Sequence, residues 1–104
     1  MSTSDYENIK QIALQDVAVL IEKGKTYGDS WKKRGGVGAF MMMARKWDRI
    51  EQIVSEVRYD VFISGVADTG NVLDDIADLR RYLLLVEDEV RRMSGQASAS
   101  YVNQ

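Results

Sequence analysis

The chain contains no cysteine, no histidine and no proline. Without cysteine there is no disulfide framework, no thiolate-ligated zinc or iron–sulfur cluster and no thiol nucleophile. Without histidine the commonest general base and the commonest transition-metal ligand are gone, and so is any Ser-His-Asp triad. Without proline nothing forces a helix to stop. Long apolar runs are also missing: Val17–Ile21 is followed at once by Glu22 and Lys23. That is too short for a secretory signal or a spanning helix, which needs about 20 apolar residues. A cytoplasmic protein with no membrane partner is expected. A metal site would have to be made of carboxylates, which suit Mg²⁺ or Mn²⁺.

What is present is charge in an ordered arrangement. The 104 residues carry 16 acidic and 14 basic side chains, a net charge of −2. Residues 1–22 sum to −3, residues 23–49 to +6 and residues 50–104 to −5. A basic middle between acidic ends suits an anionic ligand that meets both Lys/Arg and a cation. A salt-bridged helical surface is the plain alternative. Because the basic stretch is short and the whole chain acidic, nucleic acid is not an expected partner.

The length allows one domain, expected over residues 1–93, with 94–104 a disordered tail of small and polar residues. Apolar residues recur every three or four positions, which marks helices. The first helix is expected over Asp5–Lys23, with Ile9, Ile12, Ala13, Val17, Leu20 and Ile21 on one face, Ser4 or Asp5 as cap and Gly24 as stop. Residues 24–36 carry four glycines, Tyr27 and Trp31, and read as a loop. From Val37 the period resumes through Phe40, Met43, Trp47, Ile50, Val54, Val57 and Val61, then Tyr59, Phe62, Ile63 and Val66, so this helix runs past Arg58 or breaks there. Asp68–Asn71 is a turn signal, and a third helix follows with Val72, Ile76, Leu79, Leu83, Val86 and Val90 on its stripe. The fold class is all-α, an antiparallel bundle of three long helices, or four if the second breaks. Its core would be thin, and dimerisation would add burial. Met41, Met42 and Met43 beside Phe40 serve as core or dimer contacts.

The candidate chemistry lies in carboxylates. Asp48 and Glu51 are three apart on the second helix, and Asp75 and Asp78 are three apart on the third. Packing through the adjacent stripes would bring the four together, and a cation would be needed to neutralise them. Surface pairing of Asp48 with Arg45 or Arg49, and of Asp75 with Arg80 or Arg81, is the alternative.

Asp48-x-x-Glu51, 23 intervening residues, then Asp75-x-x-Asp78 resembles the ExxE…ExxD metal-binding signature of the MazG-like all-α nucleoside triphosphate pyrophosphohydrolases. Two of its Glu positions are Asp here, which keeps the charge on a shorter arm. The strings KTYGDSWKKRGGVGAFMMMARKWDRIE and DDIADLRRYLLLVEDE also resemble small phage and prophage proteins. The resemblance implies a nucleotide substrate (NTP or dNTP) cleaved between the α and β phosphates to give the monophosphate and pyrophosphate. It implies Mg²⁺, or Mn²⁺, held by Asp48, Glu51, Asp75 and Asp78, with Glu22 as a further carboxylate that positions water, and a homodimer or homotetramer. Lys32, Lys33 and Arg34, beside Gly35 and Gly36, are candidates for phosphate contact, as are Arg45 and Arg49. Tyr27 is a candidate to stack on a base, and Tyr82 to orient Asp78 one turn away. The competing function is a non-catalytic helical interaction or scaffold protein.

Overall fold

The computed structural model describes residues 2–62 and 70–95. Among them all regular structure is helical. A 3-10 turn, Thr3–Tyr6, leads into α1, Glu7–Tyr27; a second 3-10 turn, Ser30–Lys32, precedes α2, Gly35–Glu56; and α3 spans Gly70–Met93. The chain divides into two compact units, Met1–Gly38 and Ala39–Gln104. No helix among the described residues is long and apolar enough to cross a membrane.

The helix ends differ from expectation for local reasons. Asp5 caps the 3-10 turn rather than α1: its Oδ2 accepts the backbone N–H of Ser2 at 2.7 Å and the Ser2 hydroxyl at 3.0 Å. Gly24 does not stop α1. A single interior glycine costs about 1 kcal/mol against alanine and is tolerated. The helix ends three residues later, where Gly28 at φ 54°, ψ −130° returns its N–H to the Gly24 carbonyl at 3.0 Å. Only a residue without a Cβ takes that conformation cheaply.

α2 starts at Gly35, two residues before Val37, and ends at Glu56 rather than running past Arg58. Its end is a Schellman turn: Tyr59 N–H donates to the Val54 carbonyl at 3.0 Å and Arg58 N–H to Ser55 at 3.0 Å. Arg58 and Tyr59 both have positive φ, 55° and 64°. The helical spacing of Tyr59 and Phe62 is therefore not realised as helix, because the two left-handed residues break the backbone first. Of the turn expected over Asp68–Asn71, Gly70 and Asn71 are instead the first residues of α3; the expectations for Ile63, Val66, Asp68, Thr69 and the tail beyond Gly95 lie outside the described residues.

Burial departs more strongly from the apolar stripes. α1 buries one residue, Asp16, while Ile9, Ile12, Val17 and Ile21 are exposed. In α2 Ala39, Met43 and Ile50 are buried, but Phe40 and Trp47 of the expected stripe are exposed, as are Met41 and Met42. In α3 Val72 is buried, Leu79 and Val86 are half-buried, and Ile76, Leu83 and Val90 are exposed. The face that α3 turns inward carries Asp75, 2% exposed. Burying a carboxylate is costly unless it is paired, so the pairing described next decides how this helix is rotated.

Candidate functional site

The second unit gathers charged side chains from α2 and α3. Asp75 Oδ2 accepts the Nε–H of Arg49 at 3.2 Å, and its other oxygen lies 3.8 Å from Lys46 Nζ. The same ammonium sits 2.9 Å from Asp78 Oδ2, and Arg81 lies 3.9 Å from Asp78 Oδ1. Lys46 thus stands between two carboxylates one helical turn apart, with its side chain 18% exposed. Low exposure weakens solvent screening, so these contacts are stronger than surface pairs. A charge-assisted hydrogen bond from Arg49 and the Lys46 ammonium 3.8 Å away compensate the burial of Asp75.

Beside this network a groove of about 470 Å³ opens along α2. Arg45, Asp48, Arg49 and Gln52 line it, a run spaced at three, four and seven residues that forms one helical face. Asp75 closes it from α3, and Met41 and Ile53 supply apolar wall. The groove presents two guanidinium-bearing residues and two carboxylate-bearing residues to a ligand. Planar guanidinium groups match phosphate oxygens in geometry and charge.

Of the four carboxylates expected to share a metal, Asp48 and Asp75 both line the groove. Asp78 is held one turn away by Lys46, and Glu51 is exposed. Among the described residues no group of three acidic side chains could hold a metal ion. The donor set as arranged does not fit Mg²⁺: the space between Asp75 and Asp78 is served by an ammonium, and Arg49 takes a further Asp75 oxygen. Asp75 therefore pairs across helices with Arg49 and Lys46.

The remaining candidates belong to the first unit or to the flank of α3. Glu22, expected to position water, is exposed and pairs with Lys25 at 3.3 Å, one turn on along its own helix. Tyr27 is exposed; Lys32 lies over the Trp31 ring, 6.0 Å from its centroid; Lys33 and Arg34 are exposed. Tyr82 is half-buried.

Two features escape a reading of the sequence. Lys46 as a bridge between Asp75 and Asp78 is one; its signal is the three-residue offset from Arg49, which matches the three-residue offset of the two aspartates. Asp16, 1% exposed and engaged in a polar interaction, is the other. Its signal is its position inside the apolar row, four residues after Ile12 and four before Leu20. No known protein family, no curated protein and no solved structure matches the chain.

Proposed function

We propose that the chain is a nucleotide-binding helical protein of the pyrophosphohydrolase kind, acting on an NTP or dNTP between its α and β phosphates to release pyrophosphate. One observation carries the proposal: a buried carboxylate, Asp75, holds Arg49 at the mouth of a groove that also presents Arg45 and Asp48. Charged groups held in fixed positions around a cavity are a common mark of a functional site. In this reading Arg45 and Arg49 take the phosphates, Asp75 fixes the Arg49 guanidinium, and Asp48 orients the attacking water. The order of the ion pairs, Lys46 with Asp78 and Arg49 with Asp75, supports an antiparallel course of α2 and α3.

The test is pyrophosphate release across a panel of NTPs and dNTPs with Mg²⁺ or Mn²⁺, alongside the melting temperature with each nucleotide. Silence in both refutes the proposal. Arg45→Ala and Asp48→Ala should weaken binding and turnover respectively. A second reading, a non-catalytic helical interaction protein, is favoured by the exposure of Phe40, Met41 and Trp47 on α2. It expects function to survive both substitutions.

A further inference from the structure

Asp75 and Asp78 have every carboxylate oxygen turned to a nitrogen of the chain itself. Asp75 Oδ1 lies 3.8 Å from Lys46 Nζ, and Asp75 Oδ2 accepts from Arg49 Nε at 3.2 Å. Asp78 Oδ2 lies 2.9 Å from the same Lys46 Nζ, and Asp78 Oδ1 lies 3.9 Å from Arg81 Nη1. Two negative charges thus meet three cationic side chains, and neutralising them needs no further ion. A Mg²⁺ ion takes oxygens at about 2.0–2.1 Å in a near-octahedral array. Seating one here requires Lys46 to leave both aspartates, and its side chain is only 18% exposed. An ammonium stripped of its partners in such a place is costly.

The groove beside this centre has cationic groups to spare. The bond to Asp75 is made by Nε, the inner nitrogen of Arg49. The terminal nitrogens of that half-exposed, groove-lining side chain stay available to an anion. Arg45 lines the groove one turn earlier and is exposed. Of the two groove carboxylates Asp75 has both oxygens engaged, which leaves Asp48 alone. We propose that Lys46 stands in the place of a divalent cation, and that the groove takes the phosphates of a nucleotide directly on Arg45 and Arg49, with no metal ion between protein and phosphate. The inference rests on the nucleotide reading of the groove and names the form of the ligand: the free polyphosphate anion rather than its Mg²⁺ complex. Mg²⁺ on a polyphosphate neutralises part of the charge that two guanidinium groups would meet, so the free anion is the better match.

The experiment uses the full chain and two binding readouts. Electron paramagnetic resonance follows Mn²⁺, and calorimetric titration follows NTPs and dNTPs in excess EDTA and in excess Mg²⁺. The native chain should leave Mn²⁺ free at about 1 mM, with its melting temperature unmoved. Lys46→Met releases Asp75 Oδ1 and Asp78 Oδ2 from the ammonium. It should hold Mn²⁺ at least about tenfold more tightly than the native chain, and Mn²⁺ should raise its melting temperature. Circular dichroism checks that the variant is folded. Nucleotide should bind the native chain at least as tightly in EDTA as in Mg²⁺. The two native-chain measurements need no variant and decide the proposal by themselves if Lys46→Met does not fold. Micromolar Mn²⁺ binding by the native chain overturns the proposal, as does a folded Lys46→Met no better at holding Mn²⁺. Nucleotide bound at least about tenfold more weakly in EDTA than in Mg²⁺ overturns it while leaving the nucleotide reading intact. No nucleotide bound in either buffer refutes that reading, and the proposal falls with it.

Discussion

Replacing Lys46 by methionine tests whether the ammonium between Asp75 and Asp78 holds α2 to α3. The stem is nearly conserved in volume, so the change is mainly one of charge. Removing one partner of a buried ion pair typically costs about 3–5 kcal/mol, because the other charge is left uncompensated. Two observations reduce that here. Arg49 still bonds Asp75 at 3.2 Å, and Asp78 keeps Arg81 at 3.9 Å with its own side chain 27% exposed. The expected loss is about 2–3 kcal/mol. For a chain of this size, that is a fall in melting temperature of roughly 8–20 °C. Arg49→Met should cost less, since the Arg49 side chain is half-exposed and Lys46 remains. Adding Asp78→Asn to Lys46→Met should recover part of the loss, because Asp78 is the carboxylate that loses its 2.9 Å partner and keeps only the Arg81 contact at 3.9 Å. Urea unfolding monitored by circular dichroism measures all four proteins. A loss below about 0.5 kcal/mol for Lys46→Met would place the pair among weak surface contacts and refute the reasoning. Additive losses in the double variant would refute it equally.

Three further outcomes follow from local geometry. Gly38→Ala should destabilise by about 1–3 kcal/mol, against the usual gain for glycine in a helix, because a Cβ there falls 2.6 Å from the Arg34 Cβ. Gly36→Ala, with nothing within 4 Å, should be neutral or stabilising by about 0.5 kcal/mol in the same denaturation assay. Arg58→Gly should stabilise by about 1 kcal/mol, since position 58 takes φ 55° at the end of α2 and glycine relieves the Cβ clash. Arg45→Ala should weaken nucleotide binding about tenfold in calorimetric titration while leaving the melting temperature within a few degrees, the loss expected for one phosphate contact at an exposed site.

Helix type was legible, among the described residues, because three- and four-residue spacing is enforced by the helix itself. Ile9–Ile12 and Ile50–Val54 carry that spacing whatever packs against them. Helix ends were less legible. Gly24 and Gly28 look alike in sequence, and only the backbone decides which of them turns left-handed. At the end of α2 the turn is made by Arg58 and Tyr59, neither of which announces a positive φ. The inward faces were misjudged most. Periodicity pointed to Phe40, Trp47 and Leu83 as core, yet among the described residues Asp16 and Asp75, with Val72, are the most deeply buried side chains. Hydrophobic patterning has no term for a carboxylate that gains two cations from a facing helix. The i,i+3 spacing of Asp75 and Asp78 did identify the site-bearing stretch of α3, but spacing along one helix cannot say which cations the other helix supplies.

The sparse apolar burial of α1 bears on how that helix opens. Ile9, Ile12, Val17 and Ile21 already face solvent, so unwinding the helix uncovers little new apolar surface. The denaturant slope and the heat-capacity change of an opening both scale with surface newly exposed. Amide exchange along α1 should therefore proceed through fluctuations almost insensitive to added urea, well below the free energy of whole-chain unfolding. Exchange at Met43, Ile50 and Val72, where apolar side chains are buried, should steepen with urea. The chain would then have one helix that frays without cooperative cost and a pair that opens only together.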